Sequence, residues 1–121
     1  MRALTIIVAT PDAERLRAAL ILAAAQAALG GDATIFLQLD AVALLRAPIA
    51  APRDAAHRTA GLPHLSALLI EAQALGVTLI ACQSGLALSG MTANDLPGDV
   101  EVGGPVGVLQ RTSDDARLLI A

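Results

Sequence analysis

The 121-residue chain has no lysine, tryptophan or tyrosine, a single phenylalanine and a single cysteine, Cys82. Each absence removes a class of chemistry. Without lysine there is no Schiff-base nucleophile and no Walker-type phosphate loop. One cysteine cannot close an internal disulfide or build a multi-cysteine zinc site. One aromatic residue gives no platform for base stacking, and the eight arginines are scattered singly with no basic stripe, so no nucleic-acid partner is expected. Long apolar runs are also missing. The longest, residues 18–25, falls far short of the roughly 20 residues that span a bilayer. Met1-Arg2 runs directly into a strand-like segment, without the basic and apolar regions of a signal sequence. A cytoplasmic protein without a membrane span is the expectation.

What is present is strongly apolar. Hydrophobic residues make up 55% of the chain and charged residues 16%, with a net charge of −3. Such a composition is too apolar for disorder, and the length fits one domain, 1–121, with its own core. The surplus apolar surface is expected in subunit contacts, as in a homo-oligomer. Ile21, Leu22 and Ile70 fall outside the predicted core stripes and are the candidates for that interface.

Strands and helices alternate along the chain. Residues 3–9 (ALTIIVA) form a β-branched run suited to a strand buried on both faces. Thr10-Pro11-Asp12 reads as a helix start, with Thr10 as cap and Pro11 in the first turn; the helix should end at Gly30-Gly31. Leu16, Ala19, Leu20, Ala23 and Ala27 mark its inward stripe. Strands are predicted at 33–39, 77–81, 100–102 and 117–120, and helices at 63–75, 84–88 and 105–111. Residues 40–46 suit a short helix or turn, and 47–62 a long charged loop. The alternation predicts an α/β fold, a flavodoxin-like three-layer sandwich around a mostly parallel sheet of about five strands.

In such sheets chemistry gathers at the carboxyl ends of the strands. Cys82 falls at one of those ends and at the start of a helix, where free backbone N–H groups favour a thiolate. Gln83, Ser84 and Gly85 beside it, and Thr10 at the end of the first strand, are the candidate substrate- or anion-binding residues. The alternative for Cys82 is plain packing, since free cysteine is among the most buried residue types. His57 and His64, without a third ligand, make a poor metal site, so no metal and no cofactor is expected. Asp95 to Asp99 reads as a turn and Gly103-Gly104-Pro105 as a glycine-rich helix start. Ser84 has no recognisable triad spacing. The loop 47–62, with Arg53, His57 and Arg58, and His64 just beyond it, is either a cover over the thiol or a solvated connector.

The ordered series of segments resembles the DsrE/DsrF-like family, in particular its small "peroxiredoxin-like" branch. The resemblance runs through the alanine-rich helix Ala18-Ala19-Leu20-Ile21-Leu22-Ala23, the strand Thr34-Ile35-Phe36, and Gly76-Val77 leading to Ala81-Cys82. It continues through Gly90-Met91, Asp95-Leu96, Val100-Glu101 and Gly103-Gly104. It implies a flavodoxin-like layer structure that assembles into dimers, trimers or hexamers. It also implies sulfur relay, in which the strand-end cysteine takes a sulfane sulfur as a persulfide and passes it to a partner thiol, such as that of a TusA-like carrier. Cys82 is the position onto which that role maps. The branch commonly has a methionine shortly after the cysteine, whereas this chain reads Gln83-Ser84-Gly85-Leu86. No second cysteine is present to resolve a sulfenic acid, so peroxidase chemistry has no internal partner. The leading functional expectation is a sulfurtransferase or sulfur carrier acting through Cys82. The alternatives are a non-catalytic oligomeric module for a small anionic ligand or nucleotide, and a thiol redox sensor.

Overall fold

A computed structural model describes residues 1–121. Its five strands are β1 (Leu4–Val8), β2 (Ala33–Leu37), β3 (Thr78–Cys82), β4 (Glu101–Gly103) and β5 (Arg117–Ile120). They form one sheet in the order β4-β3-β2-β1-β5, and every pairing is parallel. The helices are α1 (Ala13–Ala28), α2 (Asp54–Thr59), α3 (Leu65–Ala74), α4 (Gln83–Leu88) and α5 (Pro105–Arg111), with 3-10 turns at Leu39–Leu45 and Ala93–Asp95. The α/β layered fold expected from the sequence is thus present, and the sheet is parallel throughout. No helix is long and apolar enough to cross a membrane.

Connection handedness sets the layers. From β1 to β2 to β3 the chain steps across the sheet in one direction, and right-handed crossovers place α1 and α3 on the same face, where they pack together. The return from β4 to β5 runs the opposite way, so α5 lies on the other face. Ile6, Val8, Ile35, Leu37, Leu79 and Ala81 alternate toward α1 and α3, and each is 2% exposed or less. Leu16, Ala19, Leu20 and Ala23 of α1, with Leu65, Leu68, Leu69 and Ala72 of α3, close this core.

The structure corrects several local expectations. Asp12, not Thr10, caps α1: its Oδ1 accepts from the N–H groups of Glu14 and Arg15. A carboxylate at this position also complements the positive end of the helix dipole, which a hydroxyl cannot. The helix at Pro63 begins two residues later, at Leu65, and Leu75 lies outside the core. Residues 54–59, read as loop, form α2. β3 is shifted one residue later than the expected 77–81 and takes in Cys82.

Candidate functional site

β3 is an apolar strand whose last residue, Cys82, also occupies the cap position of α4, with φ −65° and ψ 124°. Its thiol makes no capping hydrogen bond. Alternation along the strand puts Cys82 on the same face as Thr78 and Ile80, the face that α5 covers. Cys82 pairs in register with Gly103 of β4, two residues before α5 begins. A side chain at Gly103 would press on Ile80 Cγ2 at 3.1 Å. The missing side chain there is therefore a matter of space. The sulfur is buried, with only 3% of Cys82 exposed. A reagent reaches it only when the adjoining edge of the sheet or α4 moves.

Gly85 is also buried, and its neighbour is the chain itself. A Cβ at this position would overlap the carbonyl of Leu39. Leu39 has a positive φ of 50°, a conformation that costs an ordinary side chain on the order of 1 kcal/mol. That strain turns its carbonyl into the notch left by Gly85 and seats α4 against the 3-10 turn Leu39–Leu45. Gly85 thus fixes where α4, and with it Cys82, stands. Gln83 and Ser84 are exposed on the first turn of α4. Thr10 lies past the end of β1, two strands from β3, so roughly 10 Å separate it from the cysteine across the sheet. It lines a shallow depression with Pro11, Arg15, Pro52 and Arg53. The site thus brings Gln83, Ser84 and Gly85 together with Cys82 and leaves Thr10 apart.

The segment 47–62 is held by a polar network that the sequence pattern does not disclose. Arg17 points inward from α1 and is almost fully buried. Its Nη2 donates to Asp54 Oδ1 at 2.7 Å, its Nε to Glu14 Oε2 at 3.0 Å, and its Nη1 to the Pro63 carbonyl at 3.1 Å. Asp54 also accepts from the N–H groups of Ala51 and Leu65, each at 3.0 Å. Burial opposes ionisation of Asp54, but the bonds from Arg17, Ala51 and Leu65 outweigh it and lower its pKa to about 2. His57 Nε2 meets Glu14 Oε2 at 3.1 Å. These contacts fasten α2 to α1 and to the start of α3, on the face opposite the Cys82 side chain. Arg53 and Arg58 point to solvent there. One signal in the sequence could have revealed the network: Arg17 falls beside Leu16 and Leu20 on the inward stripe of α1, where a charge demands a partner.

The fold has known counterparts. The ychN protein from E. coli superposes with a TM-score of 0.75 at 20% identity, with both chains covered in full. MTH1491, a protein of unknown function from Methanobacterium thermoautotrophicum, superposes with a TM-score of 0.69 at 20% identity, again over the whole of both chains. At such identity the likeness is one of fold. No curated protein matches the sequence. The sequence model of the DsrE/DsrF-like family matches residues 2–120, nearly the entire molecule, and the chain belongs to that family.

Proposed function

We propose that the protein is a sulfur carrier in which Cys82 holds a persulfide and delivers its outer sulfur to a partner thiol. The family is associated with sulfur relay. The observation that carries the reading is that the only sulfur nucleophile of the chain stands at the carboxyl end of a central parallel strand. Loading begins when the Cys82 thiol loses its proton to solvent and the thiolate attacks the sulfane sulfur of a donor persulfide. A new S–S bond forms at Cys82, the donor's S–S bond breaks, and the donor leaves as a thiolate. An acceptor thiolate then attacks the outer sulfur, and Cys82 departs as a thiolate. No net oxidation occurs. Gln83 and Ser84, exposed beside the cysteine, face the incoming partner, such as a TusA-like carrier.

A second reading has its own support. The burial of Cys82 suits a packing role in a non-catalytic binding module. Intact mass after incubation with polysulfide separates the two. The sulfur-carrier reading requires one added sulfur on the native protein and none on Cys82→Ser; a native protein that stays unloaded supports the binding module.

Self-assembly belongs to the same proposal. Ile21 and Leu22 of α1 are 53% and 47% exposed, and Ile70 of α3 is 67% exposed. Leu22 also lines a wholly apolar groove of about 280 Å³ with Leu119 and Ile120 of the edge strand β5. A second copy of the chain covers this surface in the proposed homo-oligomer. Light scattering should report a dimer or larger at micromolar concentration, and a Leu22→Glu variant should shift toward monomer; a monomeric wild type contradicts the assembly.

A further inference from the structure

At the amino ends of the strands, on the face covered by α5, three threonines stand in a row. Thr5 of β1 pairs in register with Thr34 of β2, and Thr34 with Thr78 of β3. They floor a cavity of about 330 Å³ that Val108 and Arg111 of α5 roof over, with Asp32 at its rim. This is the volume of about ten water molecules and lies at the lower end of the range for small-molecule sites. It is not the cysteine site: Thr78 precedes Cys82 by four strand residues, or about 13 Å.

The hydroxyls of the three floor threonines lack protein partners, whereas those of Thr112 and Ser113 at the same cavity are engaged by Val108 and Asp115. Side-chain hydrogen bonds engage the hydroxyls of Thr59, Thr92 and Thr112, but not those of the three floor threonines. Thr5 is only 6% exposed and lines the cavity. The one fully buried side-chain polar atom without a partner is Gln73 Nε2, so these hydroxyls keep contact with solvent through the cavity, and a ligand here takes the place of water. The row suits a ligand that both donates and accepts hydrogen bonds at intervals of the strand spacing, about 4.8 Å. Alternate hydroxyls of a sugar ring have comparable spacing. Charge narrows the class further. The charged lining residues are Arg111 and Asp32, of opposite sign, and Arg111 already meets Glu101 at 3.5 Å. The two leave the lining without net charge, and the guanidinium keeps N–H groups that can donate to a neutral hydroxyl, while a cation finds no pair of carboxylates. Ile80 and Val108 supply an apolar wall suited to the C–H face of a ring.

We propose that this cavity binds a neutral polyol of monosaccharide size, held by the Thr5, Thr34 and Thr78 hydroxyls and by Arg111. The inference does not rest on the sulfur chemistry of Cys82. The test is a titration of the full chain with D-ribose and D-glucose, followed by threonine methyl and amide NMR shifts, with sulfate as the charged control. One of the sugars should give saturable shifts confined to Thr5, Thr34, Thr78 and α5. In the Thr34→Val, Thr78→Val double variant, whose fold is checked by its remaining spectrum, affinity should fall at least about fivefold. Three outcomes overturn the proposal: no saturable shift with either sugar, tighter binding of sulfate at these residues, or unchanged sugar affinity in the folded double variant.

Discussion

The two faces of the sheet differ in kind. Against α1 and α3, six strand residues from three neighbouring strands are 2% exposed or less, and the covering helices are long. Against α5, a helix of seven residues, the corresponding positions include Thr5, Thr34 and Thr78 beside the buried Phe36 and Ile80, while Leu118 and Ile120 of β5 stay 45% and 73% exposed. One face is a closed hydrocarbon core and supplies most of the stability, at roughly 1.5 to 3 kcal/mol for each large side chain buried. The other has a shorter cover and carries the threonine hydroxyls and the Cys82 side chain, while the exposed apolar edge at β5 borders both faces.

The most severe break in this contrast is expected at Arg17. Its removal in Arg17→Ala leaves Glu14 and Asp54 without their buried cation and releases segment 47–62 from the closed face, at a cost of about 3 to 5 kcal/mol in urea unfolding. A change under about 1 kcal/mol would mean that the network is peripheral. Adjacent residues on β2 sharpen the comparison directly. Ile35→Ala, on the closed face, should lose about 2 to 5 kcal/mol, whereas Thr34→Val, on the open face, should stay within about 0.5 kcal/mol. Equal losses at the two positions would erase the distinction between the faces.

A smaller effect follows from acid. Asp54 is held at about 2 in the folded chain, against an ordinary value of 3.8. A depressed carboxylate pKa stabilises the fold at pH values above the unfolded pKa. That contribution is lost as pH falls from about 4 toward 2, and amounts to about 2 kcal/mol. Urea midpoints measured down this range should fall in the wild type and fall less in Asp54→Asn; parallel curves would assign the acid sensitivity to other groups.

Much of this architecture was legible in the sequence, because strong periodicity and glycine punctuation mark local structure. The helix 105–111 and the strand 117–120 have the predicted bounds, and Leu16, Ala19, Leu20 and Ala23 are core as their spacing implied. Long-range polar contacts were not legible. The pattern shows Arg17 and Asp54 as two charges, 37 positions apart, with nothing to say that they meet. Cys82 could be placed at a strand end, but its burial depends on how α4 seats against Leu39, a contact between segments far apart in the chain. The threonine row arises only when register aligns Thr5, Thr34 and Thr78 from three separate strands.

The central claim is that Cys82 accepts a sulfane sulfur and gives it up again. It is tested most directly by loading the native protein with polysulfide, removing the excess, and adding cyanide, which attacks the outer sulfur of a persulfide and leaves as thiocyanate while the cysteine is restored as a thiolate. The account predicts about one thiocyanate per chain, a return to the unloaded intact mass, and no thiocyanate from Cys82→Ser carried through the same steps. Sulfur that reaches Cys82 only in denaturant, or equal thiocyanate from the serine variant, would contradict it.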